Sequence, residues 1–173
     1  MITLTTNPDQ TAGTLAGSPD PLVYAVVGFD GSASSLRALD AAARLLNDRP
    51  GDMEIVYVAH LPAMAAAADL SGEASAEVLQ SLDDATRELS EEVRAHLQAS
   101  HLRGAAQRWH FQRRDGAIAD KLIAVADELR RQHGPDAAVF LVVGRCEHGY
   151  HHVLGSVPRA LERHVHYPVI IIP

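Results

Sequence analysis

The chain has 173 residues, of which 47% are hydrophobic and 21% charged, with a net charge of −7 at pH 7. That length and balance suit one globular domain with a full core, and they disfavour the broad basic surface that nucleic acid requires. With Cys146 as the one cysteine no disulfide can form within the chain, and no apolar run reaches the ~18 residues of a bilayer-spanning helix.

Residues 1–20 are rich in Thr, Pro, Gly and Asp and lack both a basic start and an apolar stretch. They read as a flexible or loosely docked tail and not as a signal peptide, which leaves the cytoplasm as the expected compartment. The folded unit is expected over residues 21–173. Leu22 to Phe29 is the first predicted strand, and Asp30-Gly31-Ser32 is a turn at its carboxyl end. Ser32 or Ser34 is placed to cap a helix carrying Leu36, Leu39, Ala43 and Leu46 at helical spacing. Arg49-Pro50-Gly51-Asp52 interrupts, and Met53 to Ala59 is the second strand.

An alanine-rich loop leads to a long amphipathic helix expected from Ser75 to about Leu102, with Val78, Leu82, Ala85, Leu89, Val93 and Leu97 as its buried stripe. Gln107 to Gln112 alternates weakly and is the third strand. Asp115 is placed to cap the next helix, which turns Ile118, Leu122, Val125 and Leu129 inward and ends at His133-Gly134-Pro135. Ala137 to Val143 is a continuous apolar strand stopping at Gly144. A polar loop, a helix opening at Gly155-Ser156 and the final strand Val169 to Ile172 complete the chain.

Continuously apolar strands alternating with helices imply parallel pairing with both faces covered. The expected fold is therefore an open, doubly wound α/β sheet of five strands. Ligands on such sheets bind beyond the carboxyl ends of the strands where strand order reverses. The turns that fall there are Asp30-Gly31-Ser32, the segment after Val58, Arg114-Asp115-Gly116 and the loop from Gly144 to Ser156. A helix starting at Gly155-Ser156 would offer unpaired N–H groups to an anion.

Several residues have plainer readings beside sharper ones. His148, His151 and His152 could ligate a metal, but their spacing fits no zinc pattern, and a solvated histidine-rich loop accounts for them. Cys146 reads as an ordinary loop thiol. Glu91-Glu92 and Arg130-Arg131 read as solvated helix faces. No nucleophile, base and orienting acid can be tied together, so no catalytic set is assigned.

Val26-Val27-Gly28-Phe29-Asp30-Gly31-Ser32, Ile55-Val56-Tyr57-Val58, Val143-Gly144, Gly155-Ser156-Val157-Pro158-Arg159 and His166-Tyr167-Pro168-Val169-Ile170-Ile171 together resemble the universal stress protein family over about residues 22–173. The resemblance implies a sheet in the order 3-2-1-4-5, a stress-response role and, in ATP-binding members, the pattern G-x-x-G-x9-G-[ST]. Carried over, Asp30 would lie near ribose and phosphates with Mg²⁺, the Val58 backbone would meet the adenine edge, and Gly144, Gly155, Ser156 and Val157 would line the phosphates. Here Gly144 and Gly155 are eleven positions apart, two fewer than in that pattern, and Glu147 stands at its second glycine. Arg145 and the loop histidines could offset the Glu147 charge.

The leading reading is a sensor or regulator that binds an adenine nucleotide, ATP first. The rivals are a dimeric scaffold of the same fold without nucleotide and a slow ATP hydrolase using Asp30 and Mg²⁺. A homodimer is expected through Val169 to Ile172, a row of β-favouring apolar residues that the resemblance puts at a sheet edge. No nucleic-acid or membrane partner is expected.

Overall fold

The computed structural model describes residues 22–47, 49–59, 72–100, 108–145, 157, 160–161 and 166–173. The expected tail, the loop carrying Cys146, Glu147 and its histidines, and the pair Gly155-Ser156 lie outside the described residues. The elements are β1 (Val23–Gly28), α1 (Ala33–Leu45), β2 (Met53–Ala59), α2 (Gly72–Ala99), β3 (Trp109–Asp115), α3 (Ile118–His133), β4 (Ala138–Gly144) and β5 (Val169–Ile172). Val157, Ala160 and Leu161, between β4 and β5, are helical as expected.

The strands form one sheet in the order β3-β2-β1-β4-β5, and every adjacent pair is parallel. This is the doubly wound arrangement expected from the sequence. Its centre explains the apolar strands. Val23, Ala25 and Val27 of β1 enter one core with Leu39, Ala42 and Ala43 of α1 and Val93 and Leu97 of α2. Tyr24 and Val26 enter a second core with Leu122, Val125 and Leu129 of α3 and with Leu161. Alternate residues feed opposite cores, so neither parity can be polar.

Four local expectations are corrected. β3 runs through Asp115 and does not end at Gln112; Gln112, Arg113, Arg114 and Asp115 pair with Val56, Tyr57, Val58 and Ala59. As an edge strand it leaves one flank open to solvent, which tolerates the polar residues that made it look like a turn. Asp115 therefore does not cap α3; Ala117 holds that position without a side-chain bond. The stripe of α2 is only half used, since Val93 and Leu97 are buried while Val78 is 37% exposed. A helix of 28 residues is about 42 Å long, whereas a seven-residue strand spans about 23 Å. The first half of α2 outruns the sheet. Ile118, 38% exposed in the first turn of α3, lacks cover in the same way.

Candidate functional site

The carboxyl end of β1 is where strand order reverses, because β2 and β4 flank β1 on opposite sides. Backbone direction can be read along each ladder. Ala25 N–H donates to the Asp52 carbonyl (3.2 Å) and Phe29 N–H to the Val56 carbonyl (3.0 Å). Even-numbered residues of β2 thus turn their N–H and C=O toward β1. Val58 is the next in that series and lies past the Phe29 bond, so its backbone pair faces the space beyond the end of β1.

On the other flank Ala138 N–H donates to the Leu22 carbonyl (2.8 Å), while Leu141 N–H donates to Pro168 (2.9 Å) and Arg145 N–H to Ile172 (2.7 Å). Even-numbered residues of β4 therefore face β1, and odd ones face β5. Gly144 closes the first series, and its carbonyl faces the same gap as Val58. The Asp30 N–H, which a longer β1 would direct at β4, turns instead to Ser35 Oγ (3.4 Å). β1 stops at Gly28, while β2 runs to Ala59 and β4 to Gly144 on either side of it.

The β1–α1 turn lies at this end of the sheet. Gly31 adopts φ 78°, a left-handed conformation that favours glycine. Ser32 caps α1 by accepting from the Ser35 N–H (3.1 Å), and Ser34 Oγ shares a hydrogen bond with Ser32 Oγ (3.0 Å). The exposed Asp30 carboxylate accepts from the Ser32 N–H (3.0 Å). Crowding by its neighbours pushes the Asp30 carboxyl up, but hydrogen bonds from Ser32 and Ser35 more than offset this and hold it below the usual carboxylate range. Asp30 is therefore an anion at neutral pH, suited to a cation or a sugar hydroxyl.

Gly144 is required for a reason the sequence did not show. A Cβ there would lie 2.5 Å from the Ser34 carbonyl carbon, 2.6 Å from its oxygen and 2.9 Å from its Cβ. The end of β4 rests directly on the first turn of α1. Gly31 is pressed from the other side by α2: a Cβ there would meet Leu89 at 2.8 Å and Glu92 at 3.5 Å.

Asp30 and the Val58 and Gly144 backbones thus lie at the same end of the sheet, where strand order reverses. Arg145 uses its N–H in the β5 ladder and leaves its side chain exposed at the same end of the sheet. Val157 is half-buried against the core beneath α3. Among the described residues no group of three or more His, Cys, Asp or Glu is arranged to hold a metal ion, and no helix is long and apolar enough to cross a membrane.

The fold is that of a doubly wound α/β protein, whose strand order reverses at β1. The sequence model described as the universal stress protein family matches residues 25–173. The chain belongs to that family. Among solved structures, a universal stress protein from Lactobacillus plantarum superposes with TM-score 0.63 at 16% identity, over 88% of this chain and 99% of that one. A member of the family from Burkholderia pseudomallei gives 0.56 at 23% identity, over 87% and 95%. A universal stress protein described in complex with cAMP gives 0.55 at 26% identity, over 88% and 98%. No curated protein matches the chain.

Proposed function

We propose that this stress protein binds an adenine nucleotide in the crevice beyond β1 and acts in the cytoplasm as a sensor or regulator, not as an efficient enzyme. The observation that carries the reading is the direction of the Val58 and Gly144 backbone groups, both turned toward the end of β1 at which the anionic Asp30 stands. An adenine edge needs one donor and one acceptor side by side, which a single strand residue facing open space supplies. Glycine at 144 lets phosphate approach the main chain without a side chain between them. Asp30 is suited to Mg²⁺ or to ribose hydroxyls; Arg145 would offset phosphate charge, with Gly155, Ser156 and Val157 completing the phosphate side. The relative bound to cAMP supports an adenine nucleotide as the ligand class. Calorimetry with ATP, ADP and cAMP tests this, with saturable heat expected from at least one. No heat and no thermal shift at millimolar ligand would favour the scaffold reading, which the Glu147 substitution and the shortened Gly144–Gly155 spacing support. Phosphate release lost on Asp30→Ala would instead support slow hydrolysis.

We also propose a homodimer joined through β5. This strand is at a sheet edge, and Ile171 on it is 40% exposed. Antiparallel pairing of two copies about a two-fold axis would close both edges. Ile171→Lys should release monomer in sedimentation; a wild-type chain sedimenting at 18.6 kDa would refute the dimer.

A further inference from the structure

β2 carries one charge in an otherwise uncharged run, Glu54 in Met53-Glu54-Ile55-Val56-Tyr57-Val58-Ala59. Glu54 has the parity of Val56, which is buried in the core beneath α3, so it lies on the α3 face of the sheet. The β3 register sets His110, Gln112 and Arg114 beside Glu54, Val56 and Val58 on that face. Three bonds join these side chains into a row. Gln112 Nε2 donates to Glu54 Oε2 (2.7 Å), Arg114 Nε donates to Gln112 Oε1 (2.8 Å), and Arg114 Nη2 donates to Glu128 Oε2 on α3 (2.6 Å).

The chemistry at the two ends fixes the middle. A guanidinium only donates and an ionised carboxylate only accepts, so one orientation of the Gln112 amide satisfies both. Burial is the main cause that pushes the Glu54 carboxyl above its ordinary 4.5. Asp52 adds to it, while the Gln112 bond, His110 and Arg114 pull the other way. Asp52 is itself 3.4 Å from Arg108; α3 brings Glu128, through Arg114, and His133, which stacks on Tyr24 of β1. Ionisation of Glu54 is thus disfavoured by the fold. A disfavoured charge, kept in a strand where an uncharged residue would pack, points to a use for its titration.

We propose that Glu54, Gln112, Arg114 and Glu128 form an acid-responsive relay, in which a proton taken from solvent by the Glu54 carboxylate loosens Gln112 from Arg114 and leaves Arg114 to Glu128. Protonation turns the Glu54–Gln112 bond from a charge-assisted one into a neutral one, about half as strong. It also gives Glu54 an O–H that the Gln112 oxygen can accept. An amide turned over to do so would set its NH2 against the Arg114 Nε–H, donor against donor. In either orientation the Arg114 Nε–H is held less firmly, because its acceptor is no longer polarised by a carboxylate beyond it. Arg114 is the register partner of Val58, so the relay ends beside the strand position that the nucleotide reading uses. The relay gives the sensor reading above a signal, the proton, and rests on that reading for its use in the cell alone. No nucleotide is needed to observe it, so either can fail without the other.

The experiment is an NMR titration of the full chain, labelled with ¹³C and ¹⁵N, from neutrality into acid. The Glu54 side-chain carboxyl carbon should titrate with a midpoint above 4.5, and the Arg114 Nε–H resonance should shift at that same midpoint. In Glu54→Gln the Arg114 step at that midpoint should be lost, while a separate step from Glu128 remains. In Gln112→Leu the Glu54 carboxyl should still titrate, with Arg114 no longer following it. A Glu54 midpoint at or below 4.5, an Arg114 resonance that does not move with Glu54, or an Arg114 step that survives Glu54→Gln would each overturn the proposal. So would a step that survives Gln112→Leu, since the charge of Glu54 would then reach Arg114 directly through space. The wild-type comparison of midpoints requires neither variant to fold.

Discussion

At the amino ends of the strands, backbone groups are bonded from one segment to the next. Val23 donates to Pro50, Met53 to Arg108 and Ala138 to Leu22, while the Arg108 guanidinium grips the Gly51 and Arg49 carbonyls at 2.7 and 2.8 Å. Tyr24 stacks on His133 with ring centroids 4.3 Å apart. At the carboxyl ends the described residues do the reverse: β1 stops early, Asp30 turns its N–H to a side chain, and Val58 and Gly144 turn their backbone groups past the end of β1. Among the described residues the same sheet is tied off at one end and not at the other. Substitutions at the first end should therefore change stability alone, and those at the second should change ligand affinity.

The largest expected effect is at Gly51, where a Cβ would come within 1.8 Å of the Val23 carbonyl oxygen on a backbone with φ +138°. Gly51→Ala should cost on the order of 3 kcal/mol or more in a denaturant melt. Affinity for nucleotide per folded molecule should be unchanged. Gly144→Ala meets backbone too, at 2.5 Å, but at the end of β4 and the start of α1, where both can shift. It should cost about 2 kcal/mol and also weaken nucleotide binding. If it weakened stability alone, the crevice would not be the ligand site.

Asp30→Asn keeps an acceptor for the Ser32 N–H and removes the charge. Stability at neutral pH should change by no more than about 0.5 kcal/mol, whereas affinity for Mg²⁺-ATP should fall at least ~10-fold by calorimetry. The pH dependence supplies a second check. A carboxyl held below its ordinary value of 3.8 contributes stability above that value and loses it as pH falls through the folded value. The stability difference between wild type and Asp30→Asn should therefore be flat above that value and shrink in stronger acid.

The smallest effect concerns Glu54, near the amino end of β2, which accepts from the Gln112 amide (2.7 Å). Burial is the main cause that pushes its carboxyl above the ordinary 4.5, against the hydrogen bond from Gln112. Ionisation is thus disfavoured in the fold. The penalty is absent below 4.5 and full above the raised value. Glu54→Gln should raise the melting temperature slightly at pH 7 and leave it unchanged in acid.

The central strands and their order were legible because burial on both faces leaves no polar parity, and Asp30-Gly31-Ser32 because a strand-end turn has its own chemistry. The polar half of β3 was misread because an edge position relaxes the burial that sequence patterns report. The overhang of α2 was invisible because an amphipathic stripe does not record where the sheet beneath it ends. At the candidate site, Asp30, Val58 and Gly144 were named from the sequence. That Gly144 is needed against Ser34 was not, because the two are more than a hundred positions apart and touch only through the folded sheet.

β1 is the earliest strand in the chain and the middle one in the sheet, and its register partner Ala138 follows Val23 by roughly a hundred residues. On a ribosome adding about 5–20 residues per second, that is a wait on the order of 10 s. During it β1 can pair with β2 on one flank while its other flank stays bare. The apolar residues most in need of cover therefore wait longest between their own emergence and that of β4, which encloses them. A nascent-chain chaperone would find its strongest reason to hold this chain at β1.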